Sequence, residues 1–347
     1  MTKKYTIRDI AKMAGVSKGT VDRVIHKRGK VSEAALKKVT EILEEIDFRP
    51  NLIAKNLKNN KTYHICVLLP DPIKDPYWIP CVTGVNDVIF ELAHFGINIE
   101  TSFFDPTNSK SFLDANLAIQ GHAPDAVLLA PLFFKEASIV MQDYENLGII
   151  VSTFNNDIES KAVKSFIGQD LFQSGRVAAK LLHSISKAGD VAILHIDEQY
   201  ENAVFMQEKE QGFKSFFEEL NSFNFNVLQC KLNRDNFKSA MPDFLQAHPN
   251  LTSLFVTTSK TYKVADFLQN NNRTDICLVG YDLLNENVNH LKSGSIDFLI
   301  HQNPKQQAYI GLKFLAEHFL FEKEIPSEIL LPIDIVNSEN VTPFMRG

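Results

Sequence analysis

The chain has 347 residues, enough for two or three domains that each bury a core. It is 44% hydrophobic and 22% charged, has no apolar run of about 18 residues, and begins MTKKYTIRDIAKMAG without the apolar core of a leader. A membrane span and a secretory signal are therefore not expected, and the reading is of a cytoplasmic protein with no membrane partner.

The formal charge of −6 hides a division. Residues 1–61 hold 15 Lys/Arg and 7 Asp/Glu, a net +8, which leaves 21 and 35, a net −14, for residues 62–347. A basic head on an acidic body is the asymmetry expected when only the head meets a polyanion. Cys66, Cys81, Cys230 and Cys277 form no CxxC or Cys/His group with zinc spacing. They read as reduced, mostly buried thiols, and neither a metal site nor a cofactor is expected.

The head reads as three short helices. Thr6-Ile7-Arg8-Asp9 is a capping-box start, after which Ile7, Ile10, Ala11 and Ala14 recur at helical spacing. Gly15 ends that helix and Ser17 is a good N-cap for the next, in which Val21, Val24 and Ile25 share one face. Gly29 closes it. Ser32 opens a third helix with an apolar stripe of Leu36, Val39, Ile42, Leu43 and Ile46.

GVSKG at 15–19 also fits Gly-x-Ser-x-Gly, the nucleophile elbow of serine hydrolases. An elbow needs a buried strand before its serine, whereas DIAKMA has helical period, and no HGGG-type motif is present. Ser17 is better explained as a cap. Two helices joined by a Gly-containing turn and braced by a third form a helix-turn-helix.

The motifs D-I-A-x-x-A-G-V-S, T-V-x-R-V, V-S and P-N-x-x-A-x-x-L occur in order over residues 6–57. They resemble the DNA-binding head of the lactose-repressor/galactose-repressor family of bacterial transcription regulators. The resemblance implies that the second helix enters the major groove with Lys18, Gly19 and Arg23 where base-edge readers sit. Thr6, Ser17, Thr20 and Asn51 are implied as phosphate-positioning groups. Gly19 carries no side chain to discriminate bases. Asp22 replaces a small polar residue of the family and can pair with Lys18 or accept from cytosine N4.

Pro50-Asn51 prevents the third helix from continuing, and residues 50–61 form a short hinge segment with little apolar surface. By the resemblance this segment orders on DNA beside its dimer mate. Leu57 then wedges into a base step of the minor groove, with Ala54 and Lys55 beside it.

From Tyr63 onward, strand-like and helix-like runs alternate. Strands are expected at HICVLL, INIETSFF, DAVLLA, IIVSTF, DVAILHI, FNVLQC, SLFVT, ICLVGY, IDFLI and EILLPIDIV. Helices are expected at segments such as GVNDVIFELAHF, DLFQSGRVAAKLLHSI, QGFKSFFEEL and AYIGLKFLAEHFL. That alternation predicts parallel α/β architecture. No GxGxxG or Walker loop occurs, and the ten histidines show no HExxH. The order resembles the periplasmic-binding-protein fold of the same family's effector domain. The expected fold class is an all-α helix-turn-helix head, residues 1–49, a hinge at 50–61, and a two-lobed α/β body with parallel sheets at 62–340. The resemblance implies three crossings between lobes, placed near 160, 299 and 326. The first lobe would then hold about 62–159 and 300–325, and the second about 160–298 and 327–340.

Ligand contacts are expected at strand ends facing the cleft. DPYW resembles the Asn-Pro-aromatic-aromatic turn of sugar-binding members, which puts Asp75, Tyr77 and Trp78 there. Asn155 and Asn156 stand where those members carry Asp-Arg. Gln169 and Asp170 follow, Lys209 occupies an arginine position, and Thr258 and Ser259 replace an Asn-Asp pair. GYD supplies Asp282, and HQNP supplies Gln302 and Asn303. Amides, hydroxyls, carboxylates and aromatics with few arginines favour a sugar or polyol over a phosphate ester. The expected function is a homodimeric transcription regulator whose affinity for operator DNA is set by that small molecule. The alternatives are a sugar-binding receptor with a vestigial head and a hydrolase using Ser17.

Overall fold

The computed structural model describes residues 5–25, 28–46, 48, 62–196, 200–220, 224–232 and 236–345. The chain divides into two compact units, Met1–Asn60 and Lys61–Gly347. The hinge residues Asn51, Ala54, Lys55 and Leu57 lie outside the described residues.

The head is three helices: α1 (Ile7–Ala14), α2 (Lys18–Ile25) and α3 (Glu33–Glu45). Ile10, Ala11, Ala14, Val21 and Val39 form its core. Thr6 and Asp9 make the reciprocal capping box, satisfying amides that the first turn leaves open. Gly15 sits at φ 64°, the left-handed conformation that lets the chain turn sharply out of α1. Leu36 departs from the expected stripe. It is 47% exposed, because the small core closes around Val39, a turn further on.

The body holds two six-stranded sheets, built from twelve strands in the described residues. In chain order the first run is β1 (Tyr63–Pro70), α4 (Ile79–Leu92), β2 (Ile97–Phe104), α5 (Ser109–Gly121), β3 (Ala126–Leu129), α6 (Phe134–Leu147), β4 (Ile150–Phe154) and β5 (Val163–Gly168). The second run is α7 (Leu171–Ile185), β6 (Gly189–Ile196), α8 (Val204–Leu220), β7 (Phe225–Leu232), α9 (Phe237–Ala247), β8 (Leu251–Val256), α10 (Thr261–Asn270), β9 (Cys277–Tyr281), α11 (Asn285–Ser293) and β10 (Phe298–His301). The chain ends with α12 (Pro304–Phe321), β11 (Glu328–Leu330), β12 (Asp334–Val336) and α13 (Val341–Phe344).

The first sheet has the order β11-β5-β4-β3-β1-β2 and is parallel throughout. The second has the order β12-β10-β9-β8-β6-β7, with β12 alone antiparallel. Each sheet is buried on both faces, as a parallel sheet flanked by helices must be.

The crossings fall later than 160, 299 and 326. Val163–Gly168 pairs with β4 in the first sheet, so the first crossing is at 169–170. This strand is obscured in sequence by Lys164 and Ser165, yet its last four residues are buried. The second crossing is at 302–303, between β10 and α12, whose Ala308, Leu312 and Leu315 pack on the first sheet. The third is at 331–333. EILLPIDIV is not one strand, because Pro332 has no amide to continue a ladder, and its halves join different sheets. The first lobe is therefore 62–168 with 304–330, and the second 171–301 with 334–345.

Candidate functional site: a helix-turn-helix surface and an inter-lobe cavity

In the head, Ser17 Oγ accepts the Thr20 amide at 3.1 Å and lies 2.9 Å from Thr20 Oγ1. It caps α2, and the residues before it are helix α1, not a strand. Val21 anchors α2 in the core, which leaves Lys18, Gly19, Asp22 and Arg23 exposed on the opposite side. A Cβ on Gly19 would meet only Ser17 Oγ, at 3.8 Å, so this part of the surface is bare backbone. Thr6, at the start of α1, is exposed.

In the body, the carboxyl ends of both sheets converge on one cavity. Asp75, Tyr77 and Trp78 follow β1, Leu132 follows β3 and Asn155 follows β4. From the second lobe come Phe205 and Lys209 on α8, Thr257, Thr258 and Ser259 after β8, Asp282 after β9 and Gln302 after β10. The lobes leave about 40 Å³ for the centres of water molecules, room for about three waters. A sugar-sized guest has to part them. A roomier hollow of about 280 Å³ lies by Arg273, Asp275 and Asp297, at the amino ends of β9 and β10. Ligands of parallel sheets bind at the opposite ends.

The cavity walls are held by their own hydrogen bonds. Asp75 caps a single 3-10 turn, Pro76–Trp78, by accepting the Tyr77 amide at 3.1 Å, and its other oxygen lies 3.9 Å from Lys260 Nζ. Trp78 is 2% exposed and stands edge-on to Tyr77 and Phe154. Asn155 adopts φ 69° and donates its side-chain amide to the Tyr77 hydroxyl. Asp282 also adopts a positive φ, 65°, and accepts from the Gln302 backbone amide at 3.2 Å and side-chain amide at 2.8 Å. Strained conformations at two strand ends, one in each lobe, place both residues at the cavity.

Lys209 is buried, with Nζ 3.7 Å from the centre of the Tyr281 ring, 3.2 Å from Thr257 O and 3.5 Å from Gln302 Oε1. Gly175 and Gly212 let α7 and α8 touch through their backbones, and this sets the depth of Lys209. A Cβ on Gly175 would stand 2.0 Å from Lys209 O, and one on Gly212 would stand 1.8 Å from Phe172 O. Burial pushes the Asp282 carboxyl up to about 6, against the pull of Lys209 and the Gln302 hydrogen bonds.

Eight of the eleven expected ligand residues line this cavity, with Ser259 beside them. Three do not. Asp170 is exposed and caps α7 through Gln173 N at 2.7 Å. Gln169 lies in the first crossing, where its side-chain amide donates to His301 O at 3.0 Å and Pro332 O at 2.6 Å. Its donor is committed to the other two crossings. Asn156 faces an adjacent hollow with Leu171, Phe205 and Glu208, and its buried Nδ2 has no hydrogen-bond partner among the described residues. Asn303 adopts φ 53° and caps α12. Sequence reasoning missed Leu132, Phe205 and Thr257. Leu132 follows a recognised strand end, whereas Phe205 reaches the cavity from inside a helix.

A helix-turn-helix head with a two-lobed ligand-binding body defines a ligand-responsive DNA-binding protein. The family of bacterial regulatory proteins of the lacI type matches residues 6–51, and the periplasmic binding protein domain family matches residues 65–323. The ribose operon repressor of Lactococcus lactis is 25% identical over 351 residues, covering 97% of this chain and 98% of the relative. The sucrose operon repressor of Streptococcus mutans is 23% identical over 345 residues, covering 96% and 99%. A solved structure from Bacteroides fragilis, assigned as a LacI transcriptional regulator, superposes with a TM-score of 0.74. It is 29% identical and covers 81% of this chain and 99% of its own. The chain belongs to the lacI family of bacterial transcription regulators, and its body has the periplasmic-binding-protein fold. It is a transcription regulator, not an enzyme, and the hydrolase and receptor readings are set aside. No helix among the described residues is long and apolar enough to cross a membrane.

Proposed function

We propose that the chain works in the bacterial cytoplasm as a two-fold dimer on a pseudo-palindromic operator, and that a neutral sugar or polyol in the inter-lobe cavity sets its operator affinity. The charge balance of the cavity carries this reading. Its lining holds two carboxylates, Asp75 and Asp282, and one cation, Lys209, with Lys260 outside the lining 3.9 Å from Asp75. A phosphate or carboxylate guest would face both acids at close range, whereas hydroxyl groups accept from and donate to such a set. Asn155, Thr258, Ser259 and Gln302 add donors and acceptors, and Tyr77 and Trp78 offer apolar ring surface. The names of the ribose and sucrose operon repressors support the same ligand class.

In the head, Lys18, Gly19 and Arg23 face base edges, while Thr6, Ser17 and Thr20 position the phosphates. Asn51, Ala54, Lys55 and Leu57 carry the hinge contacts. One small head offers few contacts, and a two-fold pair doubles them. Ligand acts by differential affinity for lobe arrangements that pair the hinges differently.

The test is a thermal-shift panel on the full chain, comparing neutral sugars and polyols with their phosphate esters, followed by operator titration with each ligand that binds. A neutral ligand should raise the melting temperature and change operator affinity. Asp282→Asn should weaken that ligand at least about 10-fold while ligand-free operator binding persists. Stabilisation by phosphate esters alone, or a bound sugar without effect on operator affinity, would refute the reading.

A further inference from the structure

His64, Cys66 and Glu100 meet on the first sheet, on the face that carries Leu68, Val127 and Leu129, away from the Trp78 face and from the ligand cavity. The fold brings them together without any sequence motif. His64 and Cys66 are two apart on β1 and so share a face, and Glu100 on β2 is the register partner of Cys66. One ligand atom from each lies within 4.8 Å of the others.

Two of the three separations are those of a tetrahedral zinc site, and the third is within 4.8 Å. Zn–N and Zn–O bonds of about 2.0–2.1 Å subtend an edge of about 3.3 Å, and a Zn–S bond of about 2.3 Å with Zn–N gives an edge of about 3.6 Å. His64 Nε2 lies 3.3 Å from Glu100 Oε2, and Cys66 Sγ lies 3.6 Å from His64 Nε2. His122 Nδ1, just past α5, lies 3.3 Å from the same Glu100 oxygen.

Protons serve this arrangement poorly. If His64 Nε2 carries a hydrogen, it serves the Glu100 carboxylate and leaves the Cys66 sulfur only a weak acceptor's share of it. If Nε2 is bare, it can accept from the thiol, but its lone pair then faces the carboxylate. A divalent cation among the three satisfies all of them together. The side chains of His64 and Glu100 are 24% and 44% exposed, so ion and water have access.

We propose that His64, Cys66 and Glu100 form a three-ligand site for a zinc-class divalent cation, with water at the fourth corner, separate from the effector site. On binding, the Cys66 thiol gives its proton to solvent and the thiolate sulfur bonds the metal. The metal clamps β1 to β2 at the start of the body.

The experiment uses the full chain, stripped with chelator and titrated with Co²⁺ and then Zn²⁺. One equivalent of Co²⁺ should give the intense visible bands of a tetrahedral complex together with a near-ultraviolet thiolate charge-transfer band. One equivalent of Zn²⁺ should bleach both and raise the melting temperature saturably. Cys66→Ser should abolish the charge-transfer band, and Cys230→Ser should leave it intact. His64→Gln, at a partly exposed side chain, should weaken binding by about 100-fold or more, beyond the usual effect of losing an outer partner. Absence of the bands in the native chain, or charge transfer that survives both Cys66→Ser and His64→Gln, would overturn the proposal. The sugar titration is a separate readout at the other site.

Discussion

The contact between α7 and α8 makes a quantitative prediction at Gly212. An ordinary carbon contact begins at 3.4 Å, and a Cβ there would stand 1.8 Å from Phe172 O and 2.7 Å from Phe172 C. Both atoms are backbone, so no rotamer can yield, and the helices must part by about 1.6 Å. Overpacking of this kind costs about 1–3 kcal/mol, and here the upper end applies. The better helix propensity of alanine returns about 1 kcal/mol. Gly212→Ala should therefore destabilise the protein by about 2 kcal/mol, a fall of about 1 M in the urea midpoint at a typical slope. Gly121→Ala is the control. That glycine is the last residue of α5, and nothing lies within 4 Å of its missing Cβ, so the change should be neutral or stabilising. Urea unfolding followed by circular dichroism compares the two. Lys209 sits one turn before Gly212, so ligand affinity should fall in that variant alone. If Gly212→Ala proves as stable as Gly121→Ala, the close-contact account of how Lys209 is placed is wrong.

Four further outcomes follow from the geometry of the body and of the head. Gln169→Leu strands the carbonyls of His301 and Pro332 and should cost about 2 kcal/mol or more in urea unfolding; an unchanged midpoint would mean that water replaces the amide without loss. Burial lowers the His301 imidazole to about 4, below its unfolded value of 6.5. The unfolded chain thus takes up the proton first, and about 3 kcal/mol is lost as pH falls from 6.5 to 4. The raised Asp282 carboxyl acts oppositely, because its unfavourable ionisation is relieved as pH falls through about 6. The difference between the native chain and His301→Gln isolates the histidine, and a difference constant from pH 7.5 to 4.5 would disprove its part. In the head, Ser17→Ala should cost about 1 kcal/mol of helix stability. Arg23→Ala should cost about 1–3 kcal/mol at the cognate operator and much less on random DNA; equal losses would place Arg23 on phosphate.

Local rules made the head legible. Thr6, Asp9, Gly15 and Ser17 act within one turn of themselves, and each does what its type and spacing dictate. Leu36 failed because burial depends on how far a core extends, which a stripe does not reveal. In the body, continuous apolar runs marked most strands, but VKSFIG, broken by Lys164 and Ser165, passed unnoticed and shifted the first crossing. Strand ends announced Asp75, Asn155, Asp282 and Gln302. Gln169 also follows a strand end, yet its amide is bound within the crossings, a commitment set by residues 132 and 163 positions away. The group of His64, Cys66 and Glu100 was hidden for the same reason, since half of it is register between strands.

The Gln169 amide has a mechanical consequence. Three separate chain segments join the lobes, and independent segments would let the halves slide and twist as well as swing. One side chain in the first segment grips a carbonyl at the edge of the second and another inside the third. The segments are thereby pinned to one another at a common point, like the leaves of a door on one pin. Sliding would break the pin, whereas rotation about it keeps both hydrogen bonds. A ligand that parted the lobes would then act through a single angle, the one coordinate that this pin leaves to the body.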